Sequence, residues 1–426
     1  MKRILAVVLL LCLGAAATCQ FLIRPAGKSD MPAYETAQIT WTLFSGHYTI
    51  GKKGTMVETL VRTCYFTDAQ GQPIRSFYAS GNGWAAGVIP MGGDEITTPI
   101  PKTLHMQYYD YQEDRFYQLK AELPMEKIYK LFQQKMVDFD RHLGQIVPRY
   151  NKIKVGIAPQ GYVMVWAGSD MDQVELGQYW ASHQPQMTAQ RYNQESKPPI
   201  PINPDRWEAL SDYGTFRTVL DQETFEKLKG GWLPDNQYYR QQRVKYPWRY
   251  RLSGNGRLVD LSESRGNVEA EYIAPWQMER YKTAAVMRGV PTSVLMWFID
   301  GKGKWYYLPL YFFDETKTGG ADDSDGLATV WAAFEKLFPG RKPEDNDYAP
   351  GEQDMATLDI HISDDLKTWT ATLIKGDQKI PLPIFHTRLV EIEPYAHWPK
   401  VETPPEDVIK LLMNGPGDEA SRAIQF

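Results

Sequence analysis

Lys152-Ile153-Lys154-Val155-Gly156-Ile157-Ala158-Pro159-Gln160-Gly161-Tyr162-Val163-Met164-Val165-Trp166 reads as a β-hairpin. Pro159 and Gly161 mark the turn, and apolar residues alternate with others on each arm. Working outward, the same grammar recurs. Val57 to Ser80 folds about Asp68-Ala69-Gln70-Gly71. Thr103 to Tyr109 runs into the polar turn Gln112-Glu113-Asp114 and returns as Arg115 to Lys120. Leu123-Pro124 opens a helix, since Pro suits a first turn. Ile128, Leu131, Phe132, Met136 and Phe139 carry its apolar face to about His142.

The second part of the chain echoes this order. Tyr246 to Leu252, Gly254-Asn255-Gly256 and Arg257 to Leu261 read as a hairpin. Ser293 to Ile299 and Lys304 to Phe313 flank Asp300-Gly301-Lys302-Gly303. A helix from Leu327 to Phe338 and a closing hairpin, Thr357 to Ile362 with Thr368 to Ile374, follow. Pro101 to Asp110 and Pro291 to Asp300 each give a proline, a strand, an aspartate and a turn. The expected fold is α+β: two duplicated antiparallel-sheet modules, each roughly ββ-α-ββ with a helix packed on the sheet. The boundaries expected are a signal peptide at 1–19, a first module at 20–185, a Pro-rich linker at 186–205, a second module at 206–396 and a tail at 397–426. In that stretch, Lys197-Pro198-Pro199-Ile200-Pro201 predicts a stiff, extended linker or covering loop.

The leader sets the compartment. Lys2 and Arg3 precede an apolar and small run from Ile4 to Ala17, a secretory signal pattern too short to span a membrane as a helix. Ala16-Ala17-Thr18-Cys19 approximates a bacterial lipid-attachment site, which makes Cys19 the lipidation candidate. Cleavage after Ala17 is the alternative. Cys12 leaves with the leader, so Cys19 and Cys64 remain; Cys64 is expected as a buried small hydrophobe or, if Cys19 is free, as its disulfide partner. Without Lys2 and Arg3 the chain has 45 basic and 52 acidic residues, a net of −7. An exported acidic protein is not expected to bind nucleic acid.

Motifs of catalysis are absent. The sequence holds no nucleophile elbow, no P-loop and no H-E-x-x-H. Its seven histidines show no metal spacing, and Asp322 to Gly326 fails the calcium-loop template because Ala321 and Ala332 take ligand positions. The expectation is no enzyme, no metal and no cofactor. Arg243, Lys245, Arg249 and Arg251 share one face of an alternating strand; Val244, Tyr246, Trp248, Tyr250 and Leu252 share the other. That pattern is either a half-buried strand crossing acidic neighbours or a cationic stripe for an acidic protein partner. Trp84, in Gly81-Asn82-Gly83-Trp84, is a candidate exposed anchor, because Trp dominates binding hot spots.

The run from Tyr108 through Leu123-Pro124-Met125-Glu126-Lys127-Ile128 to the hairpin ending at Trp166 resembles an uncharacterised family of Gram-negative lipoproteins, the domain of unknown function 2931. Tyr246-Pro247-Trp248-Arg249-Tyr250 is similar to the same family. The likeness extends over about Pro32 to Ile273 and carries no catalytic residues. Gln160 stands where many relatives have Gly. Such families often lie beside type VI secretion effectors, lipases among them. The resemblance implies a periplasm-facing, outer-membrane-anchored immunity protein that binds and inhibits a secreted effector or toxin. A structural or assembly lipoprotein is the alternative; an envelope hydrolase built from scattered carboxylates and Tyr is a third reading.

Overall fold

The computed structural model describes residues 32–48, 59–77, 81–82, 84, 93–138, 145–196, 201–211, 222–313, 325–385 and 387–393. Strands and helices are both present, and sheet dominates. The first half holds β1 (Gln38–His47), β2 (Thr59–Thr67), β3 (Pro73–Phe77), β4 (Gly81–Asn82), β5 (Ile96–Pro99), β6 (Thr103–Asp110) and β7 (Arg115–Glu122). The helix Met125–Gln133 follows, then β8 (Lys135–Asp138), β9 (Gln145–Pro148), β10 (Lys152–Ala158), β11 (Tyr162–Gly168), β12 (Gln173–Trp180) and β13 (Ser182–His183). The second half holds β14 (Tyr246–Gly254), β15 (Arg257–Arg265), β16 (Ala270–Ile273), β17 (Met287–Arg288), β18 (Pro291–Ile299) and β19 (Trp305–Tyr311). The helix Asp325–Leu337, β20 (Ala356–Ile362), β21 (Trp369–Lys375), β22 (Gln378–Leu382) and β23 (Val390–Ile392) complete it.

The central hairpin forms as read. β10 and β11 pair antiparallel from Lys152↔Gly168 to Ala158↔Tyr162. Gln160 takes φ +60°, a conformation Gly adopts freely and a side chain resists. Every residue of β11 is buried because it has cover on both faces. Val163, Val165 and Ala167 face the core of the first half, whereas Tyr162, Met164 and Trp166 face a second cluster. Gly156 on the facing strand makes this possible, since a Cβ there would sit 2.7 Å from the Trp166 ring and 2.2 Å from the Trp84 carbonyl.

Three sequence expectations change. The helix opened by Pro124 ends at Gln133, not near His142: Gln134 is extended, and Lys135–Asp138 pairs with Gln145–Pro148. Met136 therefore lies on a strand. Tyr246–Gly254 and Arg257–Arg265 do not form a hairpin. β14 pairs in parallel with β20, while β15 joins β16 and β18 in a different sheet. The Gly254-Asn255-Gly256 corner carries the chain between sheets; Gly254 takes φ +85°, and a Cβ there would meet the Ile362 carbonyl oxygen at 1.9 Å. The Pro-, Gln- and Asn-rich stretch between the halves contains a helix, Ala189–Ser196. With the helices Arg206–Ser211, Gln222–Lys229 and Gln237–Gln241 it covers the outer face of β11, burying Tyr192, Ile202, Leu210, Leu228 and Tyr239.

Both halves follow one order of pairing. In the first, residues Gln38–Trp41 of β1 pair with β5, and β1 from Thr42 onward runs parallel to β10. In the second, Tyr246–Pro247 of β14 pair with β17, and β14 from Trp248 onward runs parallel to β20. The strands β3-β2-β6-β7 form one sheet and β16-β15-β18-β19 the corresponding one, while β10-β11-β12 match β20-β21-β22. The short β13 adds to β7 as β23 adds to β19. Apart from the separate β8–β9 pair, each half thus spreads its strands over two sheets around its own apolar core, a larger unit than ββ-α-ββ. One sheet from each half then merges through Gln173↔Ala270 into an eleven-stranded sheet.

Candidate functional site

The merging point gathers charge. Asp172 precedes β12, and its Oδ1 accepts a 2.8 Å bond from Arg149 and another from the Tyr272 backbone N–H. Arg149 also approaches Glu271 to 4.0 Å. Glu271 is held at 2.5 Å by Arg265, which also binds Glu263 and lies 3.7 Å from Glu269. Glu269 takes Lys245 at 2.8 Å and Asn267 at 2.9 Å. Burial pushes the Glu269 carboxyl up, but Lys245 and Arg265 overrule it and hold it at about 2. Arg243 grips Glu175 through two bonds, 2.6 and 3.0 Å. The network ties the halves together, since Arg149, Asp172 and Glu175 come from one and Lys245, Glu269 and Glu271 from the other.

A cleft of about 760 Å³ opens beside this network. Lys127 and Gln134, at the start and end of the short helix, form one wall with Arg149 and Tyr150. Lys245, Arg265, Glu269 and the segments Thr283–Met287 and Asn346–Pro350 form the other. Burial lowers the Lys127 ammonium below its ordinary value, against the pull of Glu269 and Glu175.

The four basic residues of the alternating strand and its approach are accounted for inside the protein. Arg243 and Lys245 pair with Glu175 and Glu269, Arg249 with Glu352, and Arg251 with Asp359 at 2.7 Å. The opposite face, Tyr246, Trp248 and Tyr250, is buried. The half-buried strand crossing acidic neighbours is the pattern the structure adopts. Trp84 is not an exposed anchor. It is 7% exposed, packed edge-on against Trp166 at 5.0 Å and against Tyr239 at 4.9 Å. Cys19 lies outside the described residues. Cys64 is free and 1% exposed, and burial pushes its thiol up.

Two features were missed by the sequence reading. The turn Asp110 to Asp114 is not a solvated loop: Asp110, Gln112 and Glu113 are buried. Asp110 accepts bonds from the Gln112 and Glu113 N–H groups and from the Tyr48 hydroxyl at 2.9 Å. Glu113 accepts from the Tyr117 hydroxyl and the Gln160 N–H, both at 2.5 Å. Burial and the neighbouring Glu113 charge push the Asp110 carboxyl up to about 7. The flanking aromatics Tyr108, Tyr109, Tyr111, Phe116 and Tyr117 were the available signal. The second feature is a pair of exposed tryptophans, Trp180 at 50% and Trp232 at 44%. Both flank the Pro159–Gly161 turn, which is tied to Ala181 and Pro234 by hydrogen bonds. The Arg240 guanidinium lies 5.6 Å from the Trp180 ring centre. Among the described residues, no three His, Cys, Asp or Glu side chains gather as a metal site, and no helix is long and apolar enough to cross a membrane.

Residues 31–225 match the model of a family described as Protein of unknown function (DUF2931). The match covers the first half and ends within the helix Gln222–Lys229, so Tyr246 to Tyr250 lie beyond it. No curated protein and no solved structure matches the chain.

Proposed function

We propose that this is a non-catalytic binding protein of the Gram-negative envelope, exported by residues 1–19 and anchored through a lipid on Cys19. Its sharpest version is an immunity protein that binds and inhibits a secreted, lipase-type effector. The exposed Trp180 beside Arg240, with Trp232 also exposed, carries this reading. Trp and Arg are the residue types that dominate protein–protein hot spots. The cations first considered for this role are held by carboxylates of the same chain, which shifts the docking surface to the tryptophan face. A structural or assembly lipoprotein is the alternative.

The repeated order of pairing supports a further reading, that the two halves arose by internal duplication. One side-chain contact is also repeated. Trp41 on β1 donates to Thr98 Oγ1 on β5 at 2.9 Å, and Trp248 on β14 donates to the Gly289 carbonyl just after β17 at 3.1 Å. The decisive experiment is a pull-down of the mature protein with the product of the adjacent gene, run beside Trp180→Ala and Cys19→Ala. Tight one-to-one binding that silences the neighbour, weakened by Trp180→Ala alone, is the expected result. No binding, with the neighbour harmless in the periplasm, would leave the structural lipoprotein.

A further inference from the structure

The cleft at the merging point keeps its charge in balance. Glu269 is held by Lys245 and Arg265, Glu271 by Arg265, and Arg149 by Asp172 just behind the wall. Two lining residues stand outside these ion pairs, and they are opposite in sign. The Lys127 ammonium gives one 2.7 Å bond to the Glu175 carbonyl. Asp347, exposed on the facing wall, makes no ion pair among the described residues. Its charge favours the Lys127 ammonium from beyond ion-pair distance, as do those of Glu269 and Glu175, while Lys245 opposes it. The wall that carries Asp347 also presents an aromatic ring. Tyr348 is 48% exposed, the one exposed tyrosine among the described residues. Its ring is held in place: the hydroxyl donates to Asp354 at 2.8 Å, and the Arg341 guanidinium lies 5.6 Å from the ring centre. The segment beneath it is pinned as well. Asn346 accepts from the Lys245 N–H at 2.8 Å and donates to the Arg243 carbonyl at 2.7 Å. The ring is thus positioned before anything docks on it, which lowers the cost of binding.

We propose that this cleft binds a neutral saccharide, with a sugar ring stacked on Tyr348 and its hydroxyls shared between Lys127 and Asp347. A hydroxyl both donates and accepts, so one polyol serves an ammonium and a carboxylate together. The C–H face of a pyranose is slightly positive, and the face of an aromatic ring is negative. An ion of either sign would suit one of the two charged residues and be repelled by the other. The volume of about 760 Å³ is that of small-molecule sites, which run from about 300 to 1,000 Å³. Lys127 belongs to the first half and Asp347 and Tyr348 to the second, so the sugar would bridge them. The site uses neither exposed tryptophan and does not depend on the docking reading.

The test is isothermal titration calorimetry of the full mature protein with chitotriose and with maltotriose, at low and at high salt. It is repeated on Tyr348→Ala, Asp347→Ala and the exposed control Lys227→Met. Both cleft residues are exposed, so neither variant empties the core. Saturable one-to-one binding of at least one sugar is expected, about tenfold weaker in the two cleft variants and unchanged in Lys227→Met. Salt should leave it unchanged too, because screening acts on ionic partners. The proposal fails if neither sugar binds the folded protein. It fails equally if both cleft variants, folded by circular dichroism, bind as the wild type does, or if rising salt abolishes binding, which marks an ionic ligand.

Discussion

The two halves share an order of strands and differ in where they keep their charge. β1, the opening strand of the first half, carries no Asp, Glu, Lys or Arg from Gln38 to His47. β14, its counterpart, carries Arg249 and Arg251, and Arg243 and Lys245 lie just before it. Those cations reach Glu175 on β12, Glu269, Glu352 on a short turn and Asp359 on the adjoining β20. The aspartates that close equivalent strands differ as well. Asp110 is buried beside Glu113 and titrates high. At Asp300, burial is overruled by the Lys304 and Lys302 N–H groups and the Lys302 charge, so its carboxyl titrates below its ordinary value. Backbone pairing can therefore be repeated while side-chain electrostatics are rewritten, and the charge has concentrated where the halves meet.

The comparison breaks most severely at Gly254. Gly254→Val, with φ +85° and the Ile362 carbonyl in the way, should cost about 4 kcal/mol and uncouple β14 from β20. Chemical denaturation with hydrogen exchange should locate the loss in the second half; a uniform loss would deny the halves separate cores. Next comes Lys245→Met, which leaves Glu269 buried with one cation fewer and should cost about 3 kcal/mol at neutral pH. The carboxyl held at about 2 contributes stability above its ordinary 4.5 that is lost as pH falls toward 2. The variant should show a shallower acid slope in urea unfolding. Trp41→Phe and Trp248→Phe each remove one buried hydrogen bond and should cost a similar amount, about 1 kcal/mol. Unequal costs would weaken the equivalence drawn between them. The smallest effect at low pH belongs to Asp110→Asn. The folded protein keeps the Asp110 proton from about 3.8 to about 7, so wild-type stability should fall as pH rises across that window. Melting temperatures followed from pH 4 to 7 should decline less in the variant.

Local signals were legible and distant ones were not. Pro159 and Gly161 announced their hairpin, and Asp68 its turn, because residues within reach of one another make the decisive bonds. The corner at Gly254-Asn255-Gly256 has the composition of a hairpin turn, but the partner of β14 lies about a hundred residues later, at β20. No local pattern reports that. The basic face of the strand was visible, whereas its acidic partners Glu175 and Glu352 sit far away in sequence. Trp84 followed two glycines and looked like a loop tip; Gly156, from another strand, supplies the space that buries it. The short helix ended early because Lys135–Asp138 found a strand partner, which outweighed the apolar positions at Met136 and Phe139.

The seam Gln173↔Ala270 joins unlike surfaces: β12, the outer strand of β10-β11-β12 in one half, meets β16, the edge of β16-β15-β18-β19 in the other. Such a head-to-tail contact has no intrinsic stopping point, because each half still offers the surface that the other has used. A contact of this kind, left unguarded, lets further copies add at both ends as a filament. The strands standing at those ends are β3 and β22, the outermost of their sheets. β3 begins with Pro73 and carries Arg75; β22 carries Lys379 and Pro381. A proline has no N–H to offer an incoming strand, and a lysine resists burial there. The same residues that make these two strands poor sheet formers terminate the series at two.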